Sequence, residues 1–129
     1  MHEPLRNLPV LIVDADPANG KLLSVMLREA GSETRVARSA EDALVVLLTF
    51  QPRLILVDLI LPLMSGLLFV QCLKSVPATR GIVIVAVTAF SGPQAQRVAL
   101  DAGCAAFLQK PIDALSFTQS LSMHLKGSG

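Results

Sequence analysis

The chain has 129 residues, 52% of them hydrophobic, with a net charge of +1 and a mean hydropathy of +0.58. That length suits one domain with a self-sufficient core. Its apolar runs stop far short of the ~20 residues a membrane span requires, and scattered Lys and Arg with no basic tract make no field for nucleic acid. Two cysteines, Cys72 and Cys104, lack CxxC or metal spacing and read as small buried fillers in a reducing cytoplasm. The start, Met1-His2-Glu3-Pro4, carries an acid and is not a secretory signal.

Leu8 to Val13 is an apolar run ending at Asp14, the first predicted strand. Asp16-Pro17 supplies an N-cap with proline at the first helical position. Ala18, Leu22, Leu23, Met26, Leu27 and Ala30 then recur at helical spacing, and Gly31 is a left-handed stop. Glu33 to Ala37 is a short, more polar strand suited to a sheet edge. Ser39 with Asp42 has the pattern of a capping box for a helix striped by Ala40, Ala43, Leu44, Leu47 and Leu48 and closed by Pro52.

Leu54 to Val57 is too short for a helix and apolar throughout, as a strand buried on both faces should be. Asp58 comes where that strand ends, before Pro62 and Gly66 break any regular continuation. Taken alone, Asp58 reads equally as a reactive group or as a loop aspartate capping the next helix. Gly66 to Lys74 is a short helix, and Ile82 to Val87 a fourth strand ending at Thr88. Gly92-Pro93 opens a helix striped by Ala95, Val98, Ala99 and Ala102 and stopped by Gly103. Ala105 to Leu108 is a fifth strand, followed by Gln109-Lys110-Pro111. Asp113 caps a last helix with Ala114, Phe117, Leu121 and Leu125 on one side, and Gly127-Ser128-Gly129 is expected to be a flexible tail.

Five alternations of strand and helix imply an α/β protein, a parallel sheet with helices on both faces. Asp14, Asp58, Thr88 and Lys110 each stand at or just past the carboxyl end of a different strand, and in a doubly wound sheet those ends converge on one edge. A nucleotide-binding enzyme would need GxGxxG or a Gly-rich phosphate loop after the first strand; Asp14-Ala15-Asp16-Pro17 is acidic instead. His2 and His124 are not read as catalytic.

These residues carry a resemblance to the receiver domain of two-component response regulators, in its single-domain form. Val13-Asp14-Ala15-Asp16-Pro17-Ala18-Asn19 resembles the family's acidic first loop, and Val57 to Gly66 its phosphoacceptor segment. Val87-Thr88-Ala89 is similar to the hydroxyl strand end, and Phe107-Leu108-Gln109-Lys110-Pro111 to the lysine-proline end. The resemblance runs from Val10 to Leu125. It implies a five-stranded, doubly wound, flavodoxin-like (βα)5 three-layer sandwich, a single domain over residues 1–129 with its core at 9–125. It further implies that Asp58 accepts a phosphoryl group from a sensor histidine kinase or histidine phosphotransfer protein. Thr88, Ala89 and Lys110 would bind that group, and Asp14, Asp58 and the Ile60 carbonyl would hold Mg²⁺. Thr88 and Phe107 would form a switch read by a downstream protein effector or a second copy of the chain. Such a protein is cytoplasmic, engages no nucleic acid or membrane, and is no enzyme beyond its own phosphorylation and dephosphorylation.

One position departs from the pattern. Ala15 stands where the family has a second acid that touches the metal, and a methyl cannot coordinate. Few protein ligands hold Mg²⁺ in such sites, so binding is expected to be weakened. The alternative reading is a pseudo-receiver, a constitutive protein-binding module. In that family the positions two residues after the acceptor and two after the hydroxyl residue flank the site. Here they are Ile60 and Phe90, both apolar and unable to orient a hydrolytic water, which implies slow self-dephosphorylation once phosphorylated.

Overall fold

The computed structural model describes residues 3–127. Its elements are β1 (Pro9–Val13), α1 (Pro17–Glu29), β2 (Glu33–Ala37), α2 (Ala40–Val46), β3 (Leu54–Val57), α3 (Gly66–Ser75), β4 (Val83–Thr88), α4 (Pro93–Ala102), β5 (Ala106–Gln109) and α5 (Ala114–Gly127). A short 3₁₀ turn, Glu3–Leu5, precedes β1. The strands form one wholly parallel sheet in the order β2-β1-β3-β4-β5. From β1 the chain winds outward to β2 and then back across to β3, so the winding reverses between β1 and β3. Carboxyl ends of strands flanking such a reversal leave a crevice.

Successive strand residues point to opposite faces, and the core divides accordingly. Val10, Ile12, Leu54, Leu56, Val85 and Val87 face α1 and α5 and pack with Leu23, Leu27, Phe117 and Leu121. Leu11, Val13, Ile55, Val57, Ile84 and Ala86 face the other way, against Ala40, Ala43, Phe69, Val70, Leu73 and Ala99. Coverage on both faces accounts for the unbroken apolar character of β1, β3 and β4. β2, with one neighbour only, shows the mixed burial expected of an edge.

The helix ends follow the local chemistry. Asp16 accepts the Ala18 N–H at 3.0 Å, and Ser39 accepts that of Asp42 at 3.0 Å. Asp42 gives no return bond among the described residues, so the capping box is only half formed. Gly31 follows α1 at φ +97°, the left-handed position expected of it.

Several side chains depart from the predicted faces. Ala18 and Leu22 on α1, Val98 on α4 and Ala114 on α5 are exposed. α2 stops at Val46, so the helical phase does not run on to residue 48. Val46 and Leu47 therefore turn inward, while Leu44 faces out and Leu48 is 81% exposed. Leu5, ahead of the expected core, is fully buried, and its carbonyl accepts the Ser32 hydroxyl at 2.6 Å. Gly127 belongs to α5, whereas Ser128, Gly129 and His2 lie outside the described residues.

The cysteines separate. Cys104 is a buried filler as expected, but Cys72 lies on the exposed side of α3. Burial pushes the Cys104 thiol up to about 11, against the opposing pull of Lys74 and of the Ala86 backbone. Thiolate is the reactive form, so at pH 8 iodoacetamide should modify Cys72 readily and leave Cys104 intact in the folded protein. Peptide mass mapping with and without denaturant checks this.

Candidate functional site

The four residues at the strand ends meet. Each is held first by the backbone ladder, which continues one step past the regular strands. The Asp14 N–H donates to Ala37 O (3.0 Å), that of Asp58 to Val13 O (2.9 Å), and that of Lys110 to Thr88 O (2.9 Å). Parallel pairing in register, with Val13 opposite Val57 and Thr88 opposite Gln109, brings the residues that follow to one level of the sheet. The Lys110–Pro111 bond is cis.

The side chains then close the site. Asp58 Oδ1 accepts the Thr88 hydroxyl at 2.8 Å and the Ile60 N–H at 2.9 Å. Asp58 Oδ2 takes the Lys110 ammonium at 2.7 Å, and the same ammonium lies 2.9 Å from Asp14 Oδ2. Asp14 is 2% exposed and Thr88 fully buried. Asp14 also accepts the Asp16 N–H at 2.9 Å and the Asn19 side-chain amide at 2.6 Å. Asn19 was only part of a loop pattern in the sequence; its position five residues after Asp14, on the first turns of α1, is what lets it reach back.

Two carboxylates this buried repel one another, and a cation between them offsets that cost. Desolvation disfavours the Lys110 charge, but hydrogen bonds to Asp58 and Asp14, and their negative charges, outweigh it and raise its pKa. Lys110 is thus held as ammonium.

Other expected residues rim the site. Ala89 is exposed, while Phe90 donates its N–H to the Thr88 hydroxyl at 3.2 Å. Ile60 is 60% exposed, and the Phe90 ring is also exposed. Phe107 is half-buried against the α2–α3–α4 side of the core. Ala15 is exposed and its side chain offers no oxygen, and Asp16 is engaged in capping. Among the described residues no group of three or more His, Cys, Asp or Glu stands ready for a metal. The donor set is still chemically suited to Mg²⁺, a hard ion often held by one or two carboxylates with waters and phosphate oxygens. Asp14 and Asp58 supply two, and Lys110 already occupies a cation's place between them.

Gly66 fixes the loop that follows Asp58. Its N–H donates to Leu59 O at 3.1 Å. A Cβ there would overlap the Asp58 carbonyl oxygen and stand 2.7 Å from Leu59 Cα. Both are backbone atoms that cannot turn aside.

The family model for the response regulator receiver domain matches residues 10–122. The chain belongs to that family. The polar-differentiation response regulator DivK of Brucella ovis is 34% identical over 116 residues, covering 90% of this chain and 94% of the relative. Among solved structures, the receiver domain of a signal transduction histidine kinase from Syntrophus aciditrophicus superimposes with a TM-score of 0.83 at 28% identity, covering 93% and 91% of the two chains. The chemotaxis response regulator CheY4 of Vibrio cholerae gives 0.85 at 23% identity, covering 91% and 98%, which speaks to the fold alone. The architecture is accordingly the flavodoxin-like sandwich of CheY-like receivers.

Gly66→Ala should cost about 2–4 kcal/mol, because the overlap is with backbone rather than with a movable side chain. Urea denaturation followed by circular dichroism measures the difference.

Proposed function

We propose that the chain is a phosphorylation-controlled signalling switch, a single receiver domain with its core at 9–125 and Leu5 added to it, working in the cytoplasm. Asp58 is its phosphoacceptor. The observation that carries this reading is the convergence on one carboxylate of the Thr88 hydroxyl at 2.8 Å and the Lys110 ammonium at 2.7 Å, from three different strand ends. A loop aspartate serving as a helix cap needs neither; Ser65 caps α3 instead, accepting the Leu68 N–H at 3.1 Å.

A carboxylate oxygen of Asp58 attacks the phosphorus of a phosphohistidine on a sensor kinase or phosphotransfer protein. The new O–P bond forms as the N–P bond breaks, and the leaving imidazole keeps the electron pair and takes up a proton. The result is an acyl phosphate. Such transfer depends on alignment and on charge at the phosphoryl oxygens. Lys110 supplies a positive point charge, and the Thr88 hydroxyl exchanges its carboxylate acceptor for a phosphoryl oxygen. Asp14, Asp58 and the Ile60 carbonyl would hold Mg²⁺, which would supply positive charge beside the phosphoryl oxygens. Because the Ala15 side chain adds no ligand, that ion would be held more weakly than with a third carboxylate.

The added charge at Asp58 moves the balance between arrangements of Thr88 and Phe107. A downstream protein, or a second copy of the chain, that binds one arrangement better draws the equilibrium by its difference in affinity. A second reading, the constitutive binding module, draws on the same ion pairs, since Lys110 satisfies Asp14 and Asp58 without any ligand.

The two readings part on one measurement. Incubated with acetyl phosphate and excess Mg²⁺, the protein should gain one phosphoryl group by intact mass, and Asp58→Asn should gain none. Lys110→Ala should slow uptake about tenfold or more, the scale of one charge-assisted hydrogen bond to the transferring group. No uptake at millimolar Mg²⁺ leaves the binding-module reading.

Lifetime is set at the rim. Ile60 and Phe90 offer no group to orient water, so the phosphoryl group should persist. Ile60→Asn should shorten its half-life several-fold, followed by the decay of the phosphorylated mass after the donor is removed.

A further inference from the structure

Residues 59–65 link the acceptor Asp58 to α3 and carry the Ile60 carbonyl. At its ends the segment is held by the Ile60 N–H on Asp58 Oδ1, the Gly66 N–H on Leu59 O, and the Leu68 and Phe69 N–H groups on Ser65 Oγ and O. The chain bends at Leu63, which takes the left-handed φ of +60° with its side chain 89% exposed, so no packing repays that conformation. Among the described residues, a single hydrogen bond joins this segment to an element other than α3. It runs from the Met64 N–H to Glu41 Oε2, at 3.1 Å, in the first turn of α2.

Glu41 is not placed there to finish its own helix, because the Ser39 hydroxyl already accepts the Asp42 N–H. Its other oxygen, Oε1, is buried with no partner. A carboxylate held that way is unfavourable for folding, since burial strips its water and a single N–H is returned. An apolar residue of similar size would relieve that cost. A side chain that costs stability while gripping the loop of the acceptor points to a role in the loop's geometry.

We infer that Glu41 is a positioning residue for the phosphoacceptor site: through Met64 it holds the 59–65 loop so that Asp58 and the Ile60 carbonyl stay aligned for phosphoryl transfer. Ala15 increases the weight on this device, because a site with two carboxylates relies more on the backbone oxygen the loop presents. The inference rests on Asp58 being the acceptor.

The test separates geometry from stability and from the acceptor reading. In Glu41→Leu the Met64 amide loses its acceptor, while thermal stability should hold or rise. Its hydrogen exchange, measured by NMR without metal or donor, should accelerate about tenfold, and initial uptake from acetyl phosphate at saturating Mg²⁺ should fall about fivefold to tenfold. Glu41→Gln keeps a carbonyl oxygen to accept the Met64 N–H, so both readouts should stay within about twofold of the parent. Unchanged exchange and uptake in Glu41→Leu, or a Gln variant as slow as the Leu variant, overturns the role of Glu41. A parent protein that takes up no phosphoryl group overturns the acceptor reading, and the role of Glu41 in phosphoryl transfer with it; Met64 exchange then reports only whether the hydrogen bond orders the loop.

Discussion

Lys110 Nζ lies 2.7 Å from one buried carboxylate and 2.9 Å from another, and the crevice at the strand ends depends on that bridge. Without a cation, Asp14 and Asp58 would be two anions removed from water and facing each other. Breaking a buried pair by deleting one partner typically costs about 3–5 kcal/mol, because the charge left behind is uncompensated. The ammonium lets the sheet carry both carboxylates next to the point where its winding reverses. In the proposed function an incoming phosphoryl group would compete with the two carboxylates for the same ammonium.

Around this bridge the site has two mechanical parts. The rigid part is the ladder, in which Asp14, Asp58 and Lys110 are each fixed by a backbone bond to the neighbouring strand. Their positions therefore inherit the stability of the double-faced core beneath them. The compliant part is the loop after Asp58, with an exposed Leu63 in a left-handed conformation and one lateral tether to α2. The proposed switch would draw on both: a fixed Asp58, and a neighbouring segment whose arrangements differ by little free energy.

Much of this was legible in the order of residues. Short apolar runs separated by helical stripes require parallel strands, and parallel strands bring their carboxyl ends together. The bounds of β2 and β3, the caps at Asp16 and Ser39, the stop at Gly31 and the placement of Asp14, Asp58, Thr88 and Lys110 all follow from patterns spanning fewer than ten residues. Where a pattern was too short to set a phase, inference failed. α2 has seven helical residues: a stripe extended past its end assigned Leu48 to the wrong side, and within so short a helix the phase of Leu44 was also misassigned. Cys72 sits among apolar neighbours in sequence but on the outer side of α3, because hydrophobic context along the chain does not say which way a residue faces.

Sequence alone thus determined the layer architecture and the strand ends that bear polar groups, since each is written in local composition and period. Tertiary structure alone decided that Lys110 bridges both carboxylates, that Asn19 holds Asp14, that Gly66 must pass against the Asp58 backbone and that Glu41 reaches Met64. Those contacts join residues brought within about 3 Å by packing of separate elements or by the turn of a helix, and hydrogen bonds of that length depend on distances that no linear spacing specifies.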